Sequence, residues 1–246
     1  MDHWHTPAVM RMAATCLIVT VHAHGAATSG VEEFPAVQRF LSGDEAPLLR
    51  YRAFRRLEAS NDKFKKDAWL EVWTEADETG FRYEIVSQGG SEYIGNRVLK
   101  KALEREQAIW NSRLAARSSL TTDNYEFTGA EREPEGLIRV RVKPKRQDDL
   151  LIDGTILLKS EDGDLVRVEG RLAKSPSFWA GRVQVVREYV RLEGVRVPVR
   201  TESVAQVKMA GASSFTMTYQ YETINGQHLG SRLESRDRRG ANDAGS

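Results

Sequence analysis

Residues 164–223 constrain this chain most, because nearly every position there falls into a strand-like run bounded by turn residues. The runs are DLVRVEGRL (164–172), GRVQVVREYVRL (181–192), VRVPVRTESVAQVKM (195–209) and SFTMTYQYET (214–223). Val, Thr, Tyr and Phe dominate them, which suits a pleated and half-buried surface. Glu193-Gly194 separates the middle two, and Gly211 lies in the turn before the last. Glycine tolerates the positive φ that short hairpin loops need. The stretch therefore reads as an antiparallel meander.

The preceding chain extends that pattern. Phe34, Val37, Phe40 and Leu41 recur at helical spacing within 28–47 and stop at Ser42-Gly43. LLRYRAFRRLEA (48–59), AWLEVWTEA (68–76) and FRYEIVS (81–87) then predict three strands paired in sequence. In the second of these, Trp69 and Trp73 share one side and Leu70 and Val72 the other; in the third, Phe81, Tyr83 and Ile85 share a face. Gly89-Gly90 ends the run, with Ser91 as a candidate cap for a helix over 92–116 that repeats Ile94, Val98, Leu99, Ala102, Leu103, Ile109 and Trp110. YEFTGAE from Tyr125, LIRVRVK (137–143) and LLIDGTILLK (150–159) lead into the meander. Polar, aperiodic residues from 228 to 246 read as a disordered tail.

The N-terminus reads as an export signal covering residues 1–27. Arg11 precedes an apolar run of about ten residues, MAATCLIVTV, and small residues Ala23, Gly25, Ala26 and Ala27 follow it. A spanning helix needs about 20 apolar residues, so this run is too short for one. Cys16 is the only cysteine and lies inside the run, not after it as a lipid-modified cysteine would. Cleavage near 23–27 would leave a mature chain without thiols or disulfides, stabilised by its core alone. The chain is therefore expected to be exported from the cytoplasm.

Composition narrows the chemistry. Lys plus Arg number 36 and Asp plus Glu 35, which argues against nucleic acid as an obligate partner. The five His stand at 3, 5, 22, 24 and 228, outside the expected folded body of 28–227. Triads built on imidazole or thiolate, and the corresponding zinc sites, then lack their key residues. No P-loop or dinucleotide glycine fingerprint occurs. Asp148-Asp149, Asp162 with Asp164, and Glu32-Glu33 fall in turns or termini, where acids are ordinarily solvated. Neither an enzyme nor a cofactor is expected. Arg139, Arg141, Lys143, Lys145 and Arg146 read as a basic strand edge, and Arg182, Arg187, Arg191, Arg196 and Arg200 recur in the meander. Such residues on a wet sheet face also oppose aggregation.

A long sheet with one apolar face tends to curl around helices. The expectation is an α+β domain: an open, strongly curved antiparallel half-barrel of about nine to eleven strands enclosing helices. Trp69, Trp73, Phe81, Tyr83, Phe215, Met217, Tyr219 and Tyr221 are the candidate lining of its concavity, with Phe178 and Trp179 at the mouth.

The order of elements also resembles a known family. GTILLKSEDGDLVRVEGR, the excursion ending in SPSFW, and VQVVREYVRLEGVRVPVR are similar to the LolA/LolB-like superfamily of periplasmic lipoprotein carriers. The resemblance rests on the hairpin at Asp162-Gly163, Gly170, the strand carrying Tyr189, and Gly194 followed by Pro198. It implies an incompletely closed barrel around helices, with a hydrophobic cavity for a lipid or an acylated lipoprotein. On this reading the protein is a monomeric, non-enzymatic carrier of the bacterial periplasm, with an envelope membrane protein as a further partner. The alternative is an envelope scaffold whose concavity its own side chains fill. An acyl chain of roughly 14–16 methylenes gains about 11–13 kcal/mol on burial. Association costs of about 4–15 kcal/mol reduce this to an affinity suited to pick-up and hand-over.

Overall fold

The computed structural model describes residues 30–43, 46–112, 114–175, 180–207 and 211–229. The expected leader (1–27), the mouth candidates Phe178 and Trp179, and the residues from 230 onward of the expected tail lie outside these residues.

One antiparallel sheet carries all the described strands: β1 (Tyr51–Asn61), β2 (Lys66–Asp77), β3 (Gly80–Gly90), β4 (Tyr125–Glu133), β5 (Leu137–Pro144), β6 (Ile152–Lys159), β7 (Leu165–Leu172), β8 (Ala180–Leu192), β9 (Val195–Val207), β10 (Gly211–Ile224) and β11 (Gln227–His228). Their order is β3-β2-β1-β10-β9-β8-β7-β6-β5-β4, with β11 beside β10. The sheet is open and curved, as expected for a half-barrel. His228 pairs with Thr223, and Leu229 donates its N–H to Glu222 O, so the ordered chain continues past the expected boundary at 227. The basic run at 139–146 is not an edge, because β4 lies outside β5.

Local chemistry explains the turns and the curl. Glu193 and Gly194 both have positive φ, as do Asn225 and Gly226, the signature of tight hairpin loops whose twist matches their strands. Register shifts interrupt five of the strand pairs, and each bulge adds twist. Gly154 on β6 faces Gly170 on β7. A Cβ on Gly154 would stand 2.0 Å from Glu169 O and 2.6 Å from Gly170 Cα, so the two strands approach closely only because both side chains are missing.

Helix α1 (Pro35–Ser42) starts with proline in its first turn and ends at Gly43 in the left-handed region, as read from Ser42-Gly43. It buries Ala36, Val37 and Phe40 against the inner residues of β4–β8, among them Ile138, Val140, Ile156, Leu158 and Val185. Helix α2 runs from Glu92 to Asn111 with a π-helical stretch, Gly95–Leu99, inside it. It is shorter than the predicted 92–116; a separate turn, Leu114–Ser118, follows. Ser91 takes the N-cap position but makes no capping bond with its side chain. Ile94, Leu99 and Leu103 pack on Leu57, Leu70, Val72 and Met217.

β3 and β4 occupy opposite edges, so the chain between them must cross the sheet, and α2 is that crossing. Arg105 pairs with Asp149 of the β5–β6 loop at 2.6 Å. Arg117, just beyond the helix, reaches Asp148 at 2.8 Å, and Asp148 also accepts from Arg146 and from Leu150 N. Burial raises the Asp148 pKa, but these donors outweigh it and hold the carboxyl below its usual range.

Two outcomes test this frame. Gly154→Ala should destabilise the protein by about 1–3 kcal/mol, read from urea denaturation, because backbone rather than a flexible side chain must yield. Asp148→Asn should cost about 1–2 kcal/mol at pH 7. An ionised group with a depressed folded pKa stabilises fully above its unfolded value, so this deficit should shrink as pH falls below about 4.

Candidate functional site

On β1 the inward positions are Tyr51, Ala53, Arg55, Leu57 and Ala59, and on β2 they are Ala68, Leu70, Val72, Thr74 and Ala76. Trp69 and Trp73 therefore lie on the opposite, outer face. Guanidinium groups cover them, Arg56 at 5.0 Å from the Trp69 ring and Arg52 at 4.1 Å from that of Trp73, with Phe54 edge-on to Trp73. This corrects their assignment to the cavity lining. The rings are large enough to suggest burial, but stacked arginines shield them outside the core.

The other six candidates share the inner side. Phe81 is sealed beneath α2, its backbone held by Asn111 and Gln107, and Met217 is likewise buried. Tyr83, Phe215, Tyr219 and Tyr221 remain partly exposed. Tyr219 and Tyr221 stack with centroids 6.0 Å apart, and Tyr221 Oη donates to Pro198 O at 2.9 Å.

Two inner-face arginines complete the wall, and the apolar pattern did not single them out. Arg55 is 1% exposed. It donates to Glu106 of α2 at 2.6 and 2.9 Å and to Tyr51 Oη, and its guanidinium lies 4.5 Å from the Tyr219 ring. Burial works against its charge, yet the Glu106 carboxylate and Tyr51 raise its pKa well above normal. Burial also pushes the Tyr219 phenol up to about 12, so it stays neutral. Arg187 follows Val183 and Val185 on the inner face of β8 and interacts with Tyr189, Tyr219 and Tyr125. Both arginines stand in phase with apolar neighbours, the signal that could have flagged them.

These groups form a strip between two packed cores. One core lies under α1 and reaches Val183, Val185, Tyr189 and Ala205; the other lies under α2 and reaches Phe215, Met217 and Tyr219. Between them run Thr201, Ser203 and Ala205 of β9, all partly exposed. Thr201 pairs with Arg187 on one side and Met217 on the other, and Ser203 with Val185 and Phe215. A separate recess of about 700 Å³ lies between α1 and edge strand β4, lined by Val31, Leu41, Tyr125 and Phe127 rather than by the rings named from sequence.

The outer face is different in kind. Asp153 joins Arg141 and Arg171 at 2.5 and 2.9 Å, Arg139 joins Glu133 and Glu169 at 2.6 and 2.8 Å, and Arg56 joins Glu58 and Glu71 at 2.8 and 2.6 Å. Most arginines of the meander and its neighbours are thus neutralised in place. Among the described residues no three His, Cys, Asp or Glu side chains gather to hold a metal ion.

Comparison with known proteins adds little. No family model matches the chain, and no curated protein does. The chain is similar to a crystal structure of a DUF1329 family protein from Desulfovibrio piger, with a TM-score of 0.34 and 8% identity, over 75% of this chain and 88% of that one. A likeness that distant assigns neither a family nor an activity.

The pair of buried Arg55 and half-buried Glu106 gives a direct expectation. Glu106→Gln should cost about 2–4 kcal/mol by stranding the Arg55 charge, whereas Arg55→Met with Glu106→Leu should recover most of that loss in the same denaturation assay.

Proposed function

We propose that this protein is a non-enzymatic binding or carrier protein of the bacterial periplasm. It takes up a hydrophobic ligand, a lipid or an acylated lipoprotein, on the concave side of its sheet. The observation that carries this reading is the partly exposed strip of Tyr219, Tyr221, Phe215, Thr201 and Ser203 between two cores that are otherwise packed. A self-filled scaffold would bury such rings, since leaving large aromatic surface wet forgoes much of its burial energy. The leader-like N-terminus supports export, and the element order shared with periplasmic lipoprotein carriers supports the ligand class. Absence of histidine and cysteine from the expected body favours binding over catalysis.

Titration with the neutral, lipid-like dye N-phenylnaphthylamine tests it. Saturable fluorescence is expected from the native protein. Ser203→Trp, which fills the strip, should weaken binding by about tenfold or more, while Trp69→Ala on the outer face should leave it unchanged. No saturable signal, together with no lipid released from the purified protein on mass spectrometry, would favour the scaffold.

A further inference from the structure

We propose that Arg187 binds the acidic head group, a carboxylate or a phosphate monoester, of a single-chain amphiphile lying in the trough. This rests on the reading of the concave strip as a binding site and adds the chemistry of its ligand.

Arg187 differs from Arg55, the inward arginine on the other side of Tyr219. Arg55 meets a carboxylate at 2.6 Å and is sealed from solvent. Among the described residues no carboxylate forms an ion pair with Arg187, whose polar neighbours are the hydroxyls of Tyr189, Tyr219 and Tyr125. The Tyr125 hydroxyl is already engaged, accepting from Ile152 N at 3.0 Å. Burial is the largest single influence on the Arg187 pKa and opposes its charge, but the neighbouring tyrosine hydroxyls outweigh it and leave the pKa raised, so the guanidinium stays charged, and the residue is partly exposed. It is deep in the molecule without being closed off.

A cation in that position is costly unless an anion completes it. Neutral phenol oxygens accept hydrogen bonds but return no charge. The planar guanidinium suits an acid with two oxygens, held by a pair of charge-assisted bonds. Arg55 on the far side of Tyr219 adds no competing cation site, because Glu106 already neutralises it.

The surroundings fit the remainder of an amphiphile. From the Tyr219 row toward Gly211, the inner faces of β9 and β10 present Ser203, Ala205, Phe215 and Ser213, all partly exposed. Six residues of strand span about 20 Å. A head at Arg187 would leave a chain running along this wall, between Val185 on one side and Phe215 on the other. On the outer face Arg139, Arg141 and Arg167 are instead paired with carboxylates across strands.

Displacement of N-phenylnaphthylamine from the full chain by dodecanoate, dodecyl phosphate and dodecanol tests the proposal. Native protein should bind at least one of the two acids about tenfold more tightly than the alcohol, about 1.4 kcal/mol. Arg187→Met should abolish that preference, so that acids and alcohol displace the dye alike, and Arg187→Lys should retain part of it. The acid that binds more tightly identifies the head, and either supports the site. Equal binding of acid and alcohol by the native protein overturns the head-group site, even if the Met variant fails to fold, and leaves the trough intact. Failure of the dye itself to bind overturns the trough reading and the head-group site with it.

Discussion

The ion pair between Arg55 and Glu106 holds this structure to its form. With β3 and β4 at opposite edges of one sheet, the connecting segment has to span the open side. Apolar contacts at Ile94, Leu99 and Leu103 lay the first part of α2 on the sheet. The pair then fixes the helix to the middle of β1, where a single guanidinium meets a carboxylate, a phenol and an aromatic ring. Such a pair contributes little net stability compared with apolar packing, but a misplaced helix would leave a bare charge in the core. It therefore selects one position for the crossing. The position it selects covers β1–β3 and leaves the centre of the trough to β8, β9 and β10.

The two faces of the sheet solve opposite problems. Outside, arginines and carboxylates alternate across neighbouring strands and neutralise one another in solvent, where each pair is worth little but the face stays soluble. Inside, apolar residues dominate and charge is scarce, so each inward arginine needs a specific answer. Arg55 has one within the chain. Arg187, among the described residues, meets phenols and no paired carboxylate. Curvature makes the difference useful, because a flat sheet would leave Arg187 and Tyr219 in bulk solvent.

Much of this architecture is legible in the residues. Period-two alternation and glycine turns reveal the meander, and the helical spacing of Ile94, Leu99 and Leu103 reveals the crossing. Pairing of β1 with β10 is not legible, since it joins Tyr51 to Ile224 across nearly the whole chain with no local signal. On β2 the inward side is marked by small and aliphatic residues and the outward side by two tryptophans, so ring size pointed the wrong way. What separates the faces is the neighbouring strand: Trp69 and Trp73 sit beside outward Arg56 and Arg52, and Leu70 beside inward Leu57. Arg55 is passed over, and Arg187 is misread as a wet-face residue, for the complementary reason: in an arginine-rich sequence the phase of a charged residue becomes informative only once the strand's face is known.

The central claim is that the middle of the concave face is open to small molecules in the native protein. The most direct measurement is the rate at which a small thiol reagent labels Ser203→Cys in a chain whose natural Cys16 is replaced by serine, compared with Val204→Cys on the exposed outer face. An open trough predicts labelling of Ser203→Cys within about tenfold of the outer-face rate, without unfolding. Labelling that proceeds only as fast as the protein globally unfolds would mean that the concavity is filled, and would contradict the account.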